Sequence, residues 1–491
     1  MKISFEYGHG LLEANLPENT DVFIAGETVA DPPYLEDKIS VTRAAIENPL
    51  GMKPLREQVN PNSKVVIIFP DRVKGGFQDD SHRKTSIPLL IEACLSGGVQ
   101  EHNIKLICSN GLHRKNTKEE IRSILGDTIF ERYWERGQIV NHDSEDWENL
   151  IDLGYEEEYN SRVIMNKDVF ESDVAILVGH ALGNPYGGYS GGYKHCATGI
   201  THWKSIGAHH SPAVMHRKDF IPVNSKSLMR SKFDAIGHHM EKMMGKPFFV
   251  CDAVLDTYQR QIAVFAGKGD LVQKASWEIA DKRTYVHWAK KKYDVLIFGM
   301  PQAFHYGNGM GTNPILMLQA ISAQIIRHKR VLVENPVVIC SSICTGYFHD
   351  EEFPSYRDTY ELFQHDYAST LPEIERFGEA FSMKKEYIDA YRYSFGYHPF
   401  HAFSMISCGH IAERQCAAIY IVGAQEPGFA RGMGMKTRST FAEALKDAKK
   451  YVGKNPSILA LPKAFTTASV HLCMENDSAS VSENINCPSL K

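Results

Sequence analysis

Short, wholly apolar runs that stop at a polar residue or glycine recur along the chain, with longer amphipathic stretches between them. "KVVIIFPD" (64–71), "NIKLICSNG" (103–111) and "SDVAILVGH" (172–180) have the unbroken apolar character of strands buried on both faces of a parallel sheet. Between the first two, "TSIPLLIEACLSGGV" (85–99) places its apolar residues at helical spacing and stops at a Gly-Gly pair. A second series starts near Tyr293. "YDVLIFGMP" (293–301), "KRVLVENPVVI" (329–339), "AAIYIVGAQ" (417–425) and "PSILALP" (456–462) read as strands, and "NPILMLQAISAQIIRH" (313–328) as a helix. Thr440 and Glu443 form a capping box that opens a helix running through Tyr451.

This order predicts an α/β protein with two α/β domains, each built on a mostly parallel sheet, and an active site in the cleft between them. Residues 1–275 are expected to form the first domain and 285–468 a Rossmann-like second one, with the mixed, charged segment 268–292 marking the boundary. The stretch 469–491, rich in Ser and Asn, is expected to be loose or to return to the first domain.

Composition narrows the function. A chain of 491 residues with 43% hydrophobic and 23% charged positions has apolar material for more than one core. Net charge is −5 without a basic block, which argues against nucleic acid or an anionic membrane as a main partner. No apolar run reaches the ~18 residues that a membrane span needs, and the opening "MKISFEYGHG" lacks the apolar region of a secretory signal. Ten cysteines without scaffold spacing read as reduced thiols, so a cytoplasmic protein is expected. Cys340 and Cys344 are the close pair, a weak metal signal.

In open α/β sheets ligands lie beyond the carboxyl ends of the strands. The residues there are Asp71, then "SNGLHR" with His113, then His180, then "MPQAFHYGNGMG" with His305. Alone, His113 reads equally as a helix-capping residue before Thr117 and Glu120, and His180 as a polar strand edge. Two histidines from neighbouring strand ends can, however, face one substrate from opposite sides, one as base and one as acid.

The segment "GGYSGGYKHCATGITHWKSIGAHH" (187–210) sets Lys194 behind Gly191 and Gly192 and between Tyr189 and Tyr193. A partly desolvated lysine can act as nucleophile or covalent tether. His209 and His210 are either a polar loop or metal ligands, and imidazole suits nickel, copper, zinc and iron alike. The glycines match neither the dinucleotide nor the Walker pattern, and "GNGMG" (307–311) is as weak a phosphate signal. In "PDRVKGGFQDDSHR" (70–83), Asp71, Asp80 and Arg83 are a solvated loop or an arginine fork for a carboxylate with an acid that orients a histidine.

Together these stretches resemble the lactate racemase family of nickel-pincer-nucleotide enzymes. The carriers are "GLHR" followed by Thr and Glu-Glu (111–120), "GGYSGGYK" with a histidine sixteen residues beyond the lysine, the Asp-to-Arg segment with its proline (71–88), and "YGHGLLEANLPEN" near the start. The resemblance covers residues 1 to about 215 well and the second domain loosely.

It implies a racemase or epimerase that inverts the 2-carbon of a 2-hydroxy acid by reversible hydride transfer to a covalently bound nickel-pincer nucleotide. That cofactor is a pyridinium-3-thioamide-5-thiocarboxylic acid mononucleotide, tethered by position to Lys194 in a cradle of Ser190, Gly191 and Gly192. The nickel ligand maps to His210, with His209 the other choice, and the glycines let a flat ring lie against the backbone. His113 and His180 become the acid/base pair, and Arg83 holds the carboxylate or braces a histidine. Asp80-x-x-Arg83 has the family's spacing, whereas Asp71 has its strand-end position. Cofactor-synthesis proteins are implied as partners.

Two departures bear on substrate. His180 and Lys194 are fourteen residues apart, a long gap for a lactate racemase, and "NPILMLQAISA" has no lysine where the family carries a substrate-contacting one. Gln319 is the nearest polar substitute, behind a loop with His305, Asn308 and Asn313. Such a pocket suits an acid larger or more polar than lactate, such as a sugar acid. The rival readings are a metal-dependent hydrolase using His209, His210 and Asp71, a dinucleotide-binding oxidoreductase, and a non-catalytic cofactor carrier.

Overall fold

The computed structural model describes residues 1–75, 81–216, 227–364, 370–466 and 470–477. Its apolar runs form two sheets with helices packed on both, an α/β architecture. The first sheet has six strands in the order Gln261–Lys268, Phe249–Leu255, Val174–Ala181, Val65–Phe69, Ile104–Cys108 and Ile139–Asn141. All its pairings are parallel except that of the Gln261–Lys268 edge. Val65–Phe69 is buried at every position, as strands covered on both faces must be. The helix between the first two expected strands runs His82–Ser96, capped by Ser81 and ended at Gly97.

The second sheet has eight strands and is centred on Tyr293–Pro301, with Leu332–Ser341, Ala418–Val422 and Lys436–Arg438 beside it in parallel. On the other flank of Tyr293–Pro301 lie Ile458–Leu461 and, towards the strand's end, Lys2–Gly8. The chain's opening hairpin, Lys2–Gly8 with Gly10–Asn15, and the short strand Asp21–Val22 therefore belong to this second sheet, not to the first lobe as the 1–275 expectation has it. Their alternating burial explains the placement: Phe5 is fully buried and its ring lies 5.1 Å from that of Phe441.

The expected boundary segment is ordered. Gly269–Thr284 is a helix, and Tyr285–Ala289 pairs in parallel with His471–Met474. The described part of the tail is thus a strand paired with Tyr285–Ala289, and its Cys473 packs with Ala181 and Val254 of the first sheet's strands.

The carboxyl ends of both parallel sheets open towards one cavity. The Pro314–His328 and Pro399–Gln415 helices, both almost wholly buried, close its far side. Among the described residues no helix is long and apolar enough to cross a membrane.

Candidate active site

The cavity holds about 650 Å³. His113, His180, Ser190, Gly191, Lys194, His210, His305, Asn308 and Gln319 all line it. Asp71, Arg83, Gly192, His209 and Asn313 stand behind its wall, and Asp80 lies outside the described residues.

His113 reaches the cavity from the turn after Ile104–Cys108. Asn110 Nδ2 donates to the His113 carbonyl at 3.1 Å, and Arg114 clasps Glu120 with both guanidinium nitrogens at 2.8 and 2.6 Å. Glu120 also completes the capping box with Thr117. Asp71, 0% exposed, accepts from His113 Nδ1 at 2.7 Å. A carboxylate there assigns the ring hydrogen to Nδ1 and leaves Nε2 as the proton-accepting atom.

Arg83 does not point into the cavity. Its Nη1 donates to the carbonyls of Pro70 and Asp71 at 2.8 and 3.2 Å, and its Nε to Ser81 Oγ at 2.9 Å. Burial lowers its pKa only to about 10, so it is a fixed cation that braces the Asp71 turn; the carboxylate-fork expectation does not fit this placement.

His180 lies near the end of the Val174–Ala181 strand, and among the described residues no carboxylate holds its ring. Burial, aided by Arg83, His82 and Lys194, pushes its pKa down to about 3, so the imidazole is neutral at pH 7. His305 opens onto the cavity, and its neighbours His113 and Arg327 act to lower its pKa.

Lys194 sits on the short Gly192–Gly199 helix with its Nζ 5.6 Å from the centre of the Phe233 ring. The glycines before it answer to the protein's own packing rather than to a ring laid on the backbone. Gly191 and Gly192 have φ of 75° and 51°. A Cβ on Gly191 would come 2.5 Å from Asp252 Oδ2, and one on Gly192 2.3 Å from Gln273 Oε1. Those two groups hold the turn, since Gly192 N donates to Asp252 and Tyr193 N to Gln273. Fully buried Arg230 adds a 2.6 Å bond to the Tyr189 carbonyl. Burial raises the Asp252 carboxyl to about 7. Ser190 Oγ ties the same turn to the His180 carbonyl at 2.8 Å.

His209 is fully buried, with Nε2 3.3 Å from the Ala197 carbonyl. A carbonyl only accepts, so Nε2 carries the hydrogen and Nδ1 is the acceptor. His210 Nδ1, 2.6 Å away, then donates to it, and His210 is held with Nε2 as its lone-pair atom. Of the two histidines only His210 lines the cavity. The hydrolase reading needs more ligands, and among the described residues no three His, Cys, Asp or Glu side chains converge on one point. Nor do Cys340 and Cys344 suit a metal, since burial pushes both thiols up, Cys344 to about 12.

Asn313 accepts from Ile315 N at 3.0 Å and caps the Pro314–His328 helix, so it is not a cavity residue. Other cavity residues lay outside the strand-end reading. His401, whose ring lies 5.4 Å from that of His113, comes from the Pro399–Gln415 helix, and Arg327 from the last turn of Pro314–His328. Tyr306 lines the cavity next to His305. In sequence His401 is one polar residue in an apolar helix and Arg327 an ordinary basic residue at a helix end.

Residues 7–221 match the family described as the lactate racemase N-terminal domain. Lactate racemase of Thermoanaerobacterium thermosaccharolyticum is 26% identical over 208 residues, 42% of this chain and 46% of that protein. The lactate racemase of Lactiplantibacillus plantarum is 25% identical over 265 residues, 53% of this chain and 59% of its own length. The alignments thus span about half the length of these relatives. Among solved structures, the lactate racemase apoprotein from Thermoanaerobacterium thermosaccharolyticum shares the fold with TM-score 0.70 at 19% identity, over 96% of this chain and 100% of that one. A structural-genomics protein from Thermotoga maritima follows at TM-score 0.55 and 13% identity, over 89% and 100%. The stretch that matches the lactate racemase N-terminal domain, residues 7–221, carries His113, His180, Lys194 and His210.

Proposed function

We propose that the protein is an isomerase, a racemase or epimerase that inverts the 2-carbon of a 2-hydroxy acid. The observation that carries this reading is one cavity that brings together a carboxylate-held histidine, a second neutral histidine, a lysine and a lone-pair-presenting imidazole.

The residues fit the family's nickel-pincer nucleotide. Lys194 supplies the amine that would tether it, and His210, oriented by His209, supplies the nitrogen ligand that nickel takes. When bound, the group supplies a hydride acceptor for the substrate's α-carbon. The chain's own work is proton handling. His113 Nε2, made basic by the Asp71 carboxylate behind Nδ1, takes the 2-hydroxyl proton of one enantiomer. His180, neutral because it is buried, takes the same proton from the other. For inversion, when one histidine takes this proton the other must enter protonated and give its proton to the keto oxygen on the opposite face, so each turnover exchanges the proton between the pair. Arg83 keeps the Asp71 turn, and through it the His113 ring, in place.

His305, Asn308 and Gln319 line the cavity as polar groups, which supports a substrate larger or more polar than lactate, such as a sugar acid. Proteins that build the nucleotide are the partners this reading implies, and the cytoplasm is where it places the reaction. The test is a screen of 2-hydroxy acids with protein produced alongside nickel and the cofactor-synthesis proteins. Inversion of a sugar acid faster than lactate supports the reading, and lactate as the best substrate removes the larger-acid part. Unaltered configuration of every acid, on protein carrying the Lys194 adduct, removes the racemase reading.

A further inference from the structure

Two helices of the second lobe each turn one stripe to the cavity: Gln319, Ala323 and Arg327 from Pro314–His328, His401 and Ser404 from Pro399–Gln415. Spacings of four and three put each set on one helix face. On these stripes Gln319 Oε1, Arg327 Nε and His401 Nε2 are buried without a hydrogen-bond partner among the described residues. Native proteins rarely leave buried polar atoms so, and those that remain point to a role.

Arg327 is the charged member. Burial lowers its pKa to about 10, which leaves it a cation at neutral pH, and the ionisable groups acting on it are Tyr186 and a second cation, Arg283. No carboxylate among the described residues pairs with it, whereas Arg83 bonds the Pro70 and Asp71 carbonyls and Arg72 pairs with Glu120. Tyr356 OH lies 2.6 Å from His401 Nδ1; with the hydroxyl as donor, Nε2 holds the ring hydrogen and presents a donor to the cavity. Gln319 Oε1 presents an acceptor. An unpaired guanidinium, a donor and an acceptor on one wall are the complement of a carboxylate and hydroxyls.

We propose that Arg327 seats the substrate's carboxylate, and that Gln319 and His401 bond hydroxyls borne beyond the 2-carbon, which makes the site selective for polyhydroxylated acids. This rests on the racemase reading for the position of the 2-carbon, but the wall itself is tested by binding. Calorimetric titration of the cofactor-loaded protein would compare gluconate, its neutral amide gluconamide, and lactate. Wild type should prefer gluconate over gluconamide by roughly ten- to a hundredfold, the range for a hydrogen-bonded charge. Arg327→Gln should erase that preference, and Arg327→Lys should keep part of it. Gln319→Ala should weaken gluconate and leave lactate unchanged. An Arg327→Gln protein that keeps the full preference overturns the anchor. So does one that loses the adduct mass on Lys194, since the guanidinium would then serve the nucleotide's phosphate. Lactate binding as tightly as gluconate overturns the hydroxyl contacts. The expected binding pattern without inversion at the 2-carbon would remove the racemase reading and leave the anchor standing.

Discussion

The two walls of the cavity are built on different terms. On the first-lobe wall most groups with a proposed chemical role are locked by neighbours, His180 being the exception among the described residues. Asp71 holds His113, His209 holds His210, and Asp252, Gln273 and Arg230 hold the turn before Lys194. On the second-lobe wall Gln319, Arg327 and His401 keep polar atoms without partners among the described residues. The residues matched to the lactate racemase N-terminal domain, 7–221, carry His113, His180, Lys194 and His210 of the locked wall, and Gln319, Arg327 and His401 lie beyond them. Chemistry needs groups held in one geometry, whereas recognition needs groups left for the ligand to satisfy.

The contrast can be broken from either side. The largest effect is expected at the tether: Lys194→Ala should abolish both the added mass on its peptide and all turnover. His210→Ala should lose nickel before the organic part. An adduct found on a different lysine in peptide mapping would move the centre of the locked wall elsewhere.

Next come the histidines. His113→Ala and His180→Ala should each slow interconversion in both directions by on the order of 10²–10⁴. Product formed in deuterated water should keep its original α-hydrogen, because the two histidines handle only the hydroxyl proton. Deuterium at the α-carbon from the first turnover, read by mass spectrometry, would contradict this division of labour.

A smaller effect tests the scaffold. Gly192→Ala puts a Cβ against Gln273 at a φ of 51° and should cost about 1–3 kcal/mol of stability. Thermal denaturation measures it; an unchanged Tm would mean that the turn is not held as tightly as its bonds indicate.

The smallest is a pH slope. Burial pushes His82 down to about 4 and His328 to about 3, whereas an unfolded imidazole takes its proton near 6.5. Below pH 6.5 the unfolded chain therefore binds more protons, so this stability is present above 6.5 and is lost as pH falls towards 4. Each such histidine should contribute a slope on the order of 1 kcal/mol per pH unit. Denaturant titrations between pH 7 and 4 would read it. His328→Gln should flatten the slope and leave the first-lobe wall untouched.

Much of the molecule could be read along the chain. The strands at 65–69, 104–108, 174–181 and 293–301 and the capping boxes at Thr117 and Thr440 follow from local pattern. His113, His180 and His305 follow from the rule that strand ends carry ligands, because a parallel strand's end is a position that sequence reveals. The opening strands could not be placed so. Alternation shows that Lys2–Gly8 is a strand, but pairing with Met300 and Pro301 is settled only when the sheet assembles.

Sequence by itself determined the element order, the α/β class and the identity of the groups at the strand ends, since each depends on neighbours within one turn or one strand. Tertiary structure alone decided which carboxylate meets His113 and that Arg83 braces a turn instead of facing the cavity. It also decided that the glycines yield to Asp252 and Gln273, and that Arg327 and His401 complete the far wall. The reason is physical. A contact between residues hundreds of positions apart leaves no local periodicity, and a polar side chain on a buried helix looks the same in sequence whether it faces a core or a cavity.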